Sequence, residues 1–298
     1  MLAPPAVRPG CVIRVVAPSG TFPAEAFHAG VRRLRKRYDV RFDQSIFERS
    51  GYFAGTDARR AGELQRAIED PDARAIVAAR GGYGCTRLLS LLDTAAIACQ
   101  PKLLVGFSDL TALHVAWSRA GVRSLHGPMV CSLGHCPQAQ VQRWMRAIEG
   151  ATPEPFRGLE PLSGGAAEGL LAGGNLALLA ALAGTPYAPA LSGRVLFLED
   201  VGERPYRVDR MLTSLLHAGW FDQVSGVAIG AFQDLPGADG IGVRHVLRER
   251  LGSLGKPTLM GVPAGHVDDN HELPLGSPVT LDADSGTLHF HEPSVSEA

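Results

Sequence analysis

The chain has 298 residues, enough for two domains or one large α/β domain, and its 29 Lys and Arg against 30 Asp and Glu provide no basic field to gather a phosphate backbone, so nucleic acid is not an expected partner. Its five cysteines (Cys11, Cys85, Cys99, Cys131, Cys136) are odd in number and form no C-x-x-C pair, which argues against thioredoxin-like redox or zinc chemistry and fits reduced thiols in a cytoplasmic protein. Met1–Gly10 lacks the basic end and apolar run of a secretory signal, and apolar runs such as Arg194 to Leu198 fall far below the roughly 18 residues of a bilayer span, so a soluble protein without a membrane partner is expected.

Val12 to Ala17 reads as a first strand ending at the turn Pro18-Ser19-Gly20. Helical periodicity follows from Glu25 to Tyr38, with a basic face (Arg32, Arg33, Arg35, Lys36, Arg37) expected to be solvated. Asp57 to Ile68 is an amphipathic helix with Asp57 at the N-cap. Ala75 to Ala79 is the next strand, running into the glycine-dense loop Arg80-Gly81-Gly82-Tyr83-Gly84 and a helical stretch Thr86 to Leu92. Leu103 to Val105 is another strand, followed by Gly106-Phe107-Ser108-Asp109 and the helix Leu110 to Arg119. Strand, tight turn and helix in repeated order predict parallel strands joined by crossover helices.

Between about Gly134 and Gly169 the alternation lapses into a passage rich in proline and glycine. Beyond it come a helix Asn175 to Ala183, a strand Val195 to Leu198, a helix Val208 to His217, a strand Val227 to Phe232, a helix Val243 to Leu251 and a strand Thr258 to Val262. A hairpin of Val279 to Leu281 with Leu288 to Phe290 ends the series. The expected fold is therefore α/β with two domains: an N-terminal domain (1–135) with a mostly parallel sheet and flanking helices, a linker region (136–168), and a C-terminal α/β domain (169–298) with a β-rich end.

Ser108 stands just after a strand and just before a helix, a turn that projects a hydroxyl at the carboxyl end of a parallel sheet. The turn resembles a nucleophile elbow, with Leu110 where G-x-S-x-G has its second glycine, and a plain helix-capping role for Ser108 is the competing reading. The loop 80–84 would lie on the same edge. Its glycines permit close approach of backbone amides, as an oxyanion hole requires, while its spacing matches neither a dinucleotide fingerprint nor a Walker loop. Glu199 and Asp200 end another strand and Glu203 follows nearby; one of these acids could orient a histidine, or each could simply pair with Arg204, Arg207 or Arg210. Among ten histidines, His266 follows the strand Thr258 to Val262 through Pro263-Ala264-Gly265, where a general base belongs. The cluster from His266 to Glu272 offers metal-competent side chains, but in no established metal spacing.

With these residues in view the chain resembles the LD-carboxypeptidase family of serine peptidases, which includes muramoyltetrapeptide carboxypeptidases and microcin C self-immunity peptidases. The resemblance runs through Val15-Val16-Ala17-Pro18-Ser19-Gly20, Phe53-Ala54-Gly55-Thr56-Asp57 with Arg60, Ala79-Arg80-Gly81-Gly82-Tyr83-Gly84 and Gly106-Phe107-Ser108-Asp109. It continues through Leu125-His126-Gly127-Pro128-Met129, Gly173-Gly174-Asn175-Leu176, Phe197-Leu198-Glu199-Asp200 and Gly265-His266. It implies Ser108 as nucleophile, Glu199 as the acid of the triad, His266 as the base, and backbone amides of Gly82 and Asp109 as the oxyanion hole. Glu203 is the other candidate acid; Glu199 is preferred because it ends the strand.

The same resemblance implies hydrolysis through an acyl-enzyme, with no metal or other cofactor. Its implied substrate is the tetrapeptide stem of recycled muropeptides, losing its terminal D-alanine in the cytoplasm, and a homodimer is the implied assembly. Arg80 is a candidate for the substrate carboxylate or a structural ion pair. Two alternatives stand beside this reading: a peptidyl-nucleotide hydrolase of the microcin C type, and a non-catalytic small-ligand-binding protein in which Ser108 is only a cap.

Overall fold

The structure, a computed structural model, describes residues 1–233 and 241–296. The chain forms two compact units, one of Met1–Ala151 with Glu272–Pro274 and the C-terminal stretch from Pro293, the other of Thr152–His271 with Leu275–Glu292.

In the first unit, β1 (Val12–Val16), β2 (Asp39–Arg41), β3 (Ala73–Ala78), β4 (Leu103–Gly106) and β5 (Ser124–His126) pair in parallel in the order β2-β1-β3-β4-β5. The inner strands are apolar runs buried on both faces, as a sheet covered by crossover helices requires. The helix Ala24–Leu34 turns Ala26, Phe27, Gly30, Val31 and Leu34 inward, and Phe27 packs among Phe22, Phe42 and Phe47 at ring-centroid distances of 5.0–5.2 Å. The basic residues expected on a solvated face have partners: Arg33 on the helix donates to the carbonyls of Leu133 and Cys136, and past the helix end Arg35 donates to that of Val40 and Arg37 to the Glu149 carboxylate. The helix Asp57–Glu69 is capped by Thr56, whose hydroxyl accepts from Arg59 N at 3.2 Å, rather than by the expected Asp57, whose carboxylate pairs with Arg60 and Arg87. The strand order reverses direction between β1 and β3, and in such sheets ligands collect at the carboxyl ends beside that reversal. The loops after β1, β3 and β4 all emerge at that edge.

The second unit is built on β6 (Glu160–Ser163), β7 (Ala166–Asn175), β8 (Arg194–Asp200), β9 (Gly226–Phe232) and β10 (Thr258–Met260). After β11 (Leu273–Leu275), which extends the first sheet beside β5, the chain returns as β12 (Pro278–Asp282) and β13 (Thr287–Phe290). The order is β13-β12-β7-β8-β9-β10-β6, with β7 to β10 parallel and β6, β12 and β13 antiparallel at the borders, so the β-rich end lies where the terminal hairpin was expected.

The stretch 136–168 is not merely irregular: it holds the helix Gln138–Ile148, which buries Val141, Trp144, Ala147 and Ile148, and the strand β6. Among the described residues no helix is long and apolar enough to cross a membrane.

Candidate active site

The chain leaves β4 through Phe107 in extended conformation and then turns sharply at Ser108, whose φ is +64°. Among the described residues Ser108 is the only non-glycine with positive φ. An L-residue in this region costs on the order of 1–2 kcal/mol, and such strain concentrates where a side chain must be aimed. The capping alternative predicts a side-chain hydrogen bond onto the following turn. Neither the 3-10 turn Ser108–Leu110 nor the helix Thr111–Arg119 carries one.

Gly81 lies directly against this turn. A Cβ on it would stand 3.1 Å from Ser108 Cβ and 3.2 Å from Ser108 Oγ, so a side chain here would press on the serine, and glycine leaves this approach of the loop after β3 uncrowded. Gly82, next in the chain, has a φ of +118°. The loop is tied down from several sides. Gly20 N donates to Gly81 O at 3.3 Å, and Asp109 Oδ2 accepts from Cys85 N at 2.8 Å and from Ser19 Oγ at 2.5 Å. The fully buried Arg60 donates to Pro18 O in the loop after β1. Arg80 donates to the carbonyl of Thr21 at 2.7 Å.

His114 is the histidine nearest to Ser108 in sequence, and sequence reasoning assigned it nothing. Its Nε2 donates to Gly106 O at 2.8 Å, which leaves Nδ1 to accept from Ser124 Oγ at 2.8 Å. Burial pushes its pKa down to about 4. It is a neutral buttress under the end of β4, and with both nitrogens committed it is no base.

In the second unit, β8 delivers Glu199 at its carboxyl end, fully buried, and the segment after β10 delivers His266. His266 Nδ1 lies 2.7 Å from Glu199 Oε2. Glu203, the other candidate acid, instead pairs with Arg207 at 3.3 Å. Gly265, with φ +114°, makes the His266–Glu199 approach possible: a Cβ there would stand 2.7 Å from Glu199 Oε2. Asn270 Oδ1 accepts from Gly265 N at 2.9 Å and holds this turn.

Asp200, beside Glu199, points elsewhere and accepts from Val201 N at 2.8 Å, Ala177 N at 2.9 Å and Asn175 Nδ2 at 3.1 Å. Asn175 also caps the helix Leu176–Leu182 through Leu178 N. The motif Gly173-Gly174-Asn175 thus braces the strand end that carries Glu199, a role its sequence did not declare. Of the residues from His266 to Glu272, His271 lies 3.4 Å from Asp269, and Glu272 accepts from Arg143 at 2.9 Å. No group of three or more metal-competent side chains is gathered among the described residues.

Comparison with known proteins decides the family. The sequence model of the LD-carboxypeptidase N-terminal domain matches residues 13–127 and that of the C-terminal domain matches 168–281. The chain belongs to the LD-carboxypeptidase family. It is 44% identical to a putative carboxypeptidase of Streptomyces coelicolor, over 99% of this chain and 98% of that one. The crystal structure of muramoyltetrapeptide carboxypeptidase from Oxalobacter formigenes is similar at 31% identity and a TM-score of 0.86, covering 95% of this chain and 99% of that one. The microcin C7 self-immunity protein MccF, solved with glutamyl sulfamoyl guanosine, is similar at 25% identity and a TM-score of 0.89, covering 99% and 100%.

Two expectations for this family member follow from the surroundings of its acids. Gly265→Ala places a methyl group against the Glu199 carboxylate and a side chain at positive φ, so it should destabilise the protein by about 1–2 kcal/mol and lower peptidase activity at least ~10-fold. Thermal unfolding and initial rates check this together; an unchanged rate would remove Gly265 from the site's geometry.

The second concerns pH. Burial raises the pKa of Glu63 from 4.5 to about 7 and that of Asp200 from 3.8 to about 6, against opposing hydrogen bonds from Ala17 N to Glu63 and from Val201 N to Asp200. Between the ordinary and the raised values the native state holds more protons than the unfolded state, so stability contributed below pH 4.5 is lost as pH rises toward about 7. Glu63→Gln should flatten this fall by on the order of 1–3 kcal/mol, read as the difference in urea-unfolding free energy between pH 5 and 8. Parallel curves for wild type and variant would show that Glu63 does not titrate in that window.

Proposed function

We propose that this carboxypeptidase is a serine enzyme that removes the terminal D-alanine from the tetrapeptide stem of a muropeptide through an acyl-enzyme. Ser108 is the nucleophile, His266 the base and Glu199 the acid that orients it, and the amides of Gly82 and Asp109 receive the charge that develops on the scissile carbonyl oxygen. The observation that carries this reading is the strained Ser108 turn at φ +64°, a conformation with no capping bond to account for it.

With Nδ1 of His266 facing the Glu199 carboxylate, proton transfer falls to Nε2. His266 takes the Ser108 proton during attack and returns it to the leaving amine of D-alanine. Glu199 fixes the tautomer and stabilises the imidazolium. Water then attacks the acyl-enzyme with His266 again as base. Each oxyanion donor is worth on the order of 3 kcal/mol in such chemistry. The substrate assignment is supported by the likeness to a muramoyltetrapeptide carboxypeptidase, and the cytoplasm and a homodimer are the proposed setting.

The likeness to MccF supports a second substrate, a peptidyl nucleotide. Incubation with a muramoyl tetrapeptide and, separately, with a glutamyl sulfamoyl nucleotide, both followed by mass spectrometry, distinguishes the two. Release of D-alanine from the first is the expected result; cleavage of the second alone would overturn the muropeptide assignment.

A further inference from the structure

Asp109 enters the reading above through its backbone amide, yet its side chain holds the more specific position. It is fully buried, immediately follows Ser108, and accepts two hydrogen bonds at the single atom Oδ2, from Ser19 Oγ at 2.5 Å and from Cys85 N at 2.8 Å. Ser19 belongs to the loop after β1, Cys85 closes the loop after β3 that contains Gly81 and Gly82, and Asp109 itself follows β4. One oxygen atom therefore joins three loops at the carboxyl edge of the sheet.

The chain of donors continues past Ser19. Cys85 Sγ lies 3.1 Å from Ser19 Oγ, and because the Ser19 proton is directed at Asp109, the thiol is the donor of that pair. Burial, with the Asp109 carboxylate close by, raises the Cys85 pKa well above its ordinary value and keeps the thiol protonated for this role. The strands themselves are already held by their ladders. What Oδ2 adds lies beyond the ladders' ends: it sets where the loop 80–84 sits against the Ser108 turn, at the place where a Cβ on Gly81 would crowd the serine.

We propose that the Asp109 carboxylate, with Ser19 as its partner, is a positioning residue that holds the Ser108 nucleophile and the Gly82 amide at reacting distance from each other's target. The proposal rests on the serine-peptidase reading. It assigns the work to hydrogen bonding at Oδ2 alone, since Oδ1 is buried with no hydrogen-bond partner among the described residues. An asparagine can keep an oxygen at the Oδ2 position and place its amide nitrogen at Oδ1.

The test measures labelling of Ser108 by a fluorophosphonate, which reads nucleophile and oxyanion hole without any peptide, together with D-alanine release from the tetrapeptide. Asp109→Ala should lower the labelling rate and kcat by about 100-fold with KM little changed, the loss expected of misplaced reacting groups. Ser19→Ala, which removes one of the two bonds, should cost about 10-fold, and Asp109→Asn should stay within about 5-fold of wild type. Wild-type labelling rates in folded Asp109→Ala would overturn the proposal, as would Asp109→Asn as slow as Asp109→Ala. Should Asp109→Ala fail to fold, Ser19→Ala decides, and its labelling at the wild-type rate overturns the proposal. A wild-type protein that neither labels nor hydrolyses would instead bring down the serine-peptidase reading.

Discussion

Ser108→Ala is expected to lower kcat by roughly 10⁶-fold, leaving only what substrate binding and the oxyanion donors supply. The protein should fold as before, because Ser108 caps no helix and alanine tolerates φ +64° no worse than serine does. Glycine at the same position relieves the backbone. Ser108→Gly should therefore be as inactive and more stable, by about 1 kcal/mol in thermal or urea unfolding. A stability gain without activity is the signature of strain maintained to aim a nucleophile. If the glycine variant is no more stable, the turn is not strained in this sense; retention of more than about one per cent of activity by the alanine variant removes Ser108 from the chemistry.

The second large effect separates the two acids. Glu199→Gln keeps the shape of the side chain but offers His266 an amide in place of a carboxylate, so the tautomer and the imidazolium lose their support, and kcat should fall by about 10⁴-fold. Glu203 faces Arg207 on the surface of a helix, and Glu203→Gln should stay within about 2-fold of wild type, as for other partly exposed ion pairs. Steady-state rates for both variants on one substrate suffice. The reverse pattern would reassign the acid to Glu203.

Much of the fold was legible in the sequence because strand-end position is legible. Apolar runs such as Ala75–Ala79 and Val195–Leu198 announce strands, and the residues that follow them then fall at strand ends: the glycines and the serine at the carboxyl edge of the first unit's sheet, and Glu199 at the carboxyl end of β8 in the second unit's sheet. The family motifs imply the order of those residues, and the two family-domain models match residues 13–127 and 168–281, the stretches that contain them. What escaped detection has physical causes. The strand β7 reads AAEGLLAGGN, without the β-branched and aromatic residues that mark a strand, and its pairing with β8 and β12 overrides that weak propensity. The helix Gln138–Ile148 lies in a stretch judged by its prolines and glycines, although Val141, Trp144, Ala147 and Ile148 carry a helical spacing. The cap of the second helix fell one residue early because Thr56 precedes an aspartate that is equally able to cap.

The site was less legible than the fold. Nothing in Gly-Phe-Ser-Asp reveals a positive φ, and the elbow pattern was incomplete at Leu110, so the capping role and the nucleophilic role of Ser108 could not be told apart by spacing. A strand-end argument prefers Glu199, which ends its strand, over Glu203 without showing which acid meets a histidine; the 2.7 Å contact with His266 identifies Glu199 as the acid that faces the imidazole. The Ser19–Asp109–Cys85 link depends on three loops meeting, and no local pattern encodes such a meeting.

The most direct measurement of the central claim is release of the terminal residue from a tetrapeptide ending in D-alanine and from its all-L counterpart, by wild type and by Ser108→Ala. The account predicts release from the first peptide alone, and only with Ser108 present. Equal release from both peptides, or release of D-alanine by Ser108→Ala, would contradict it.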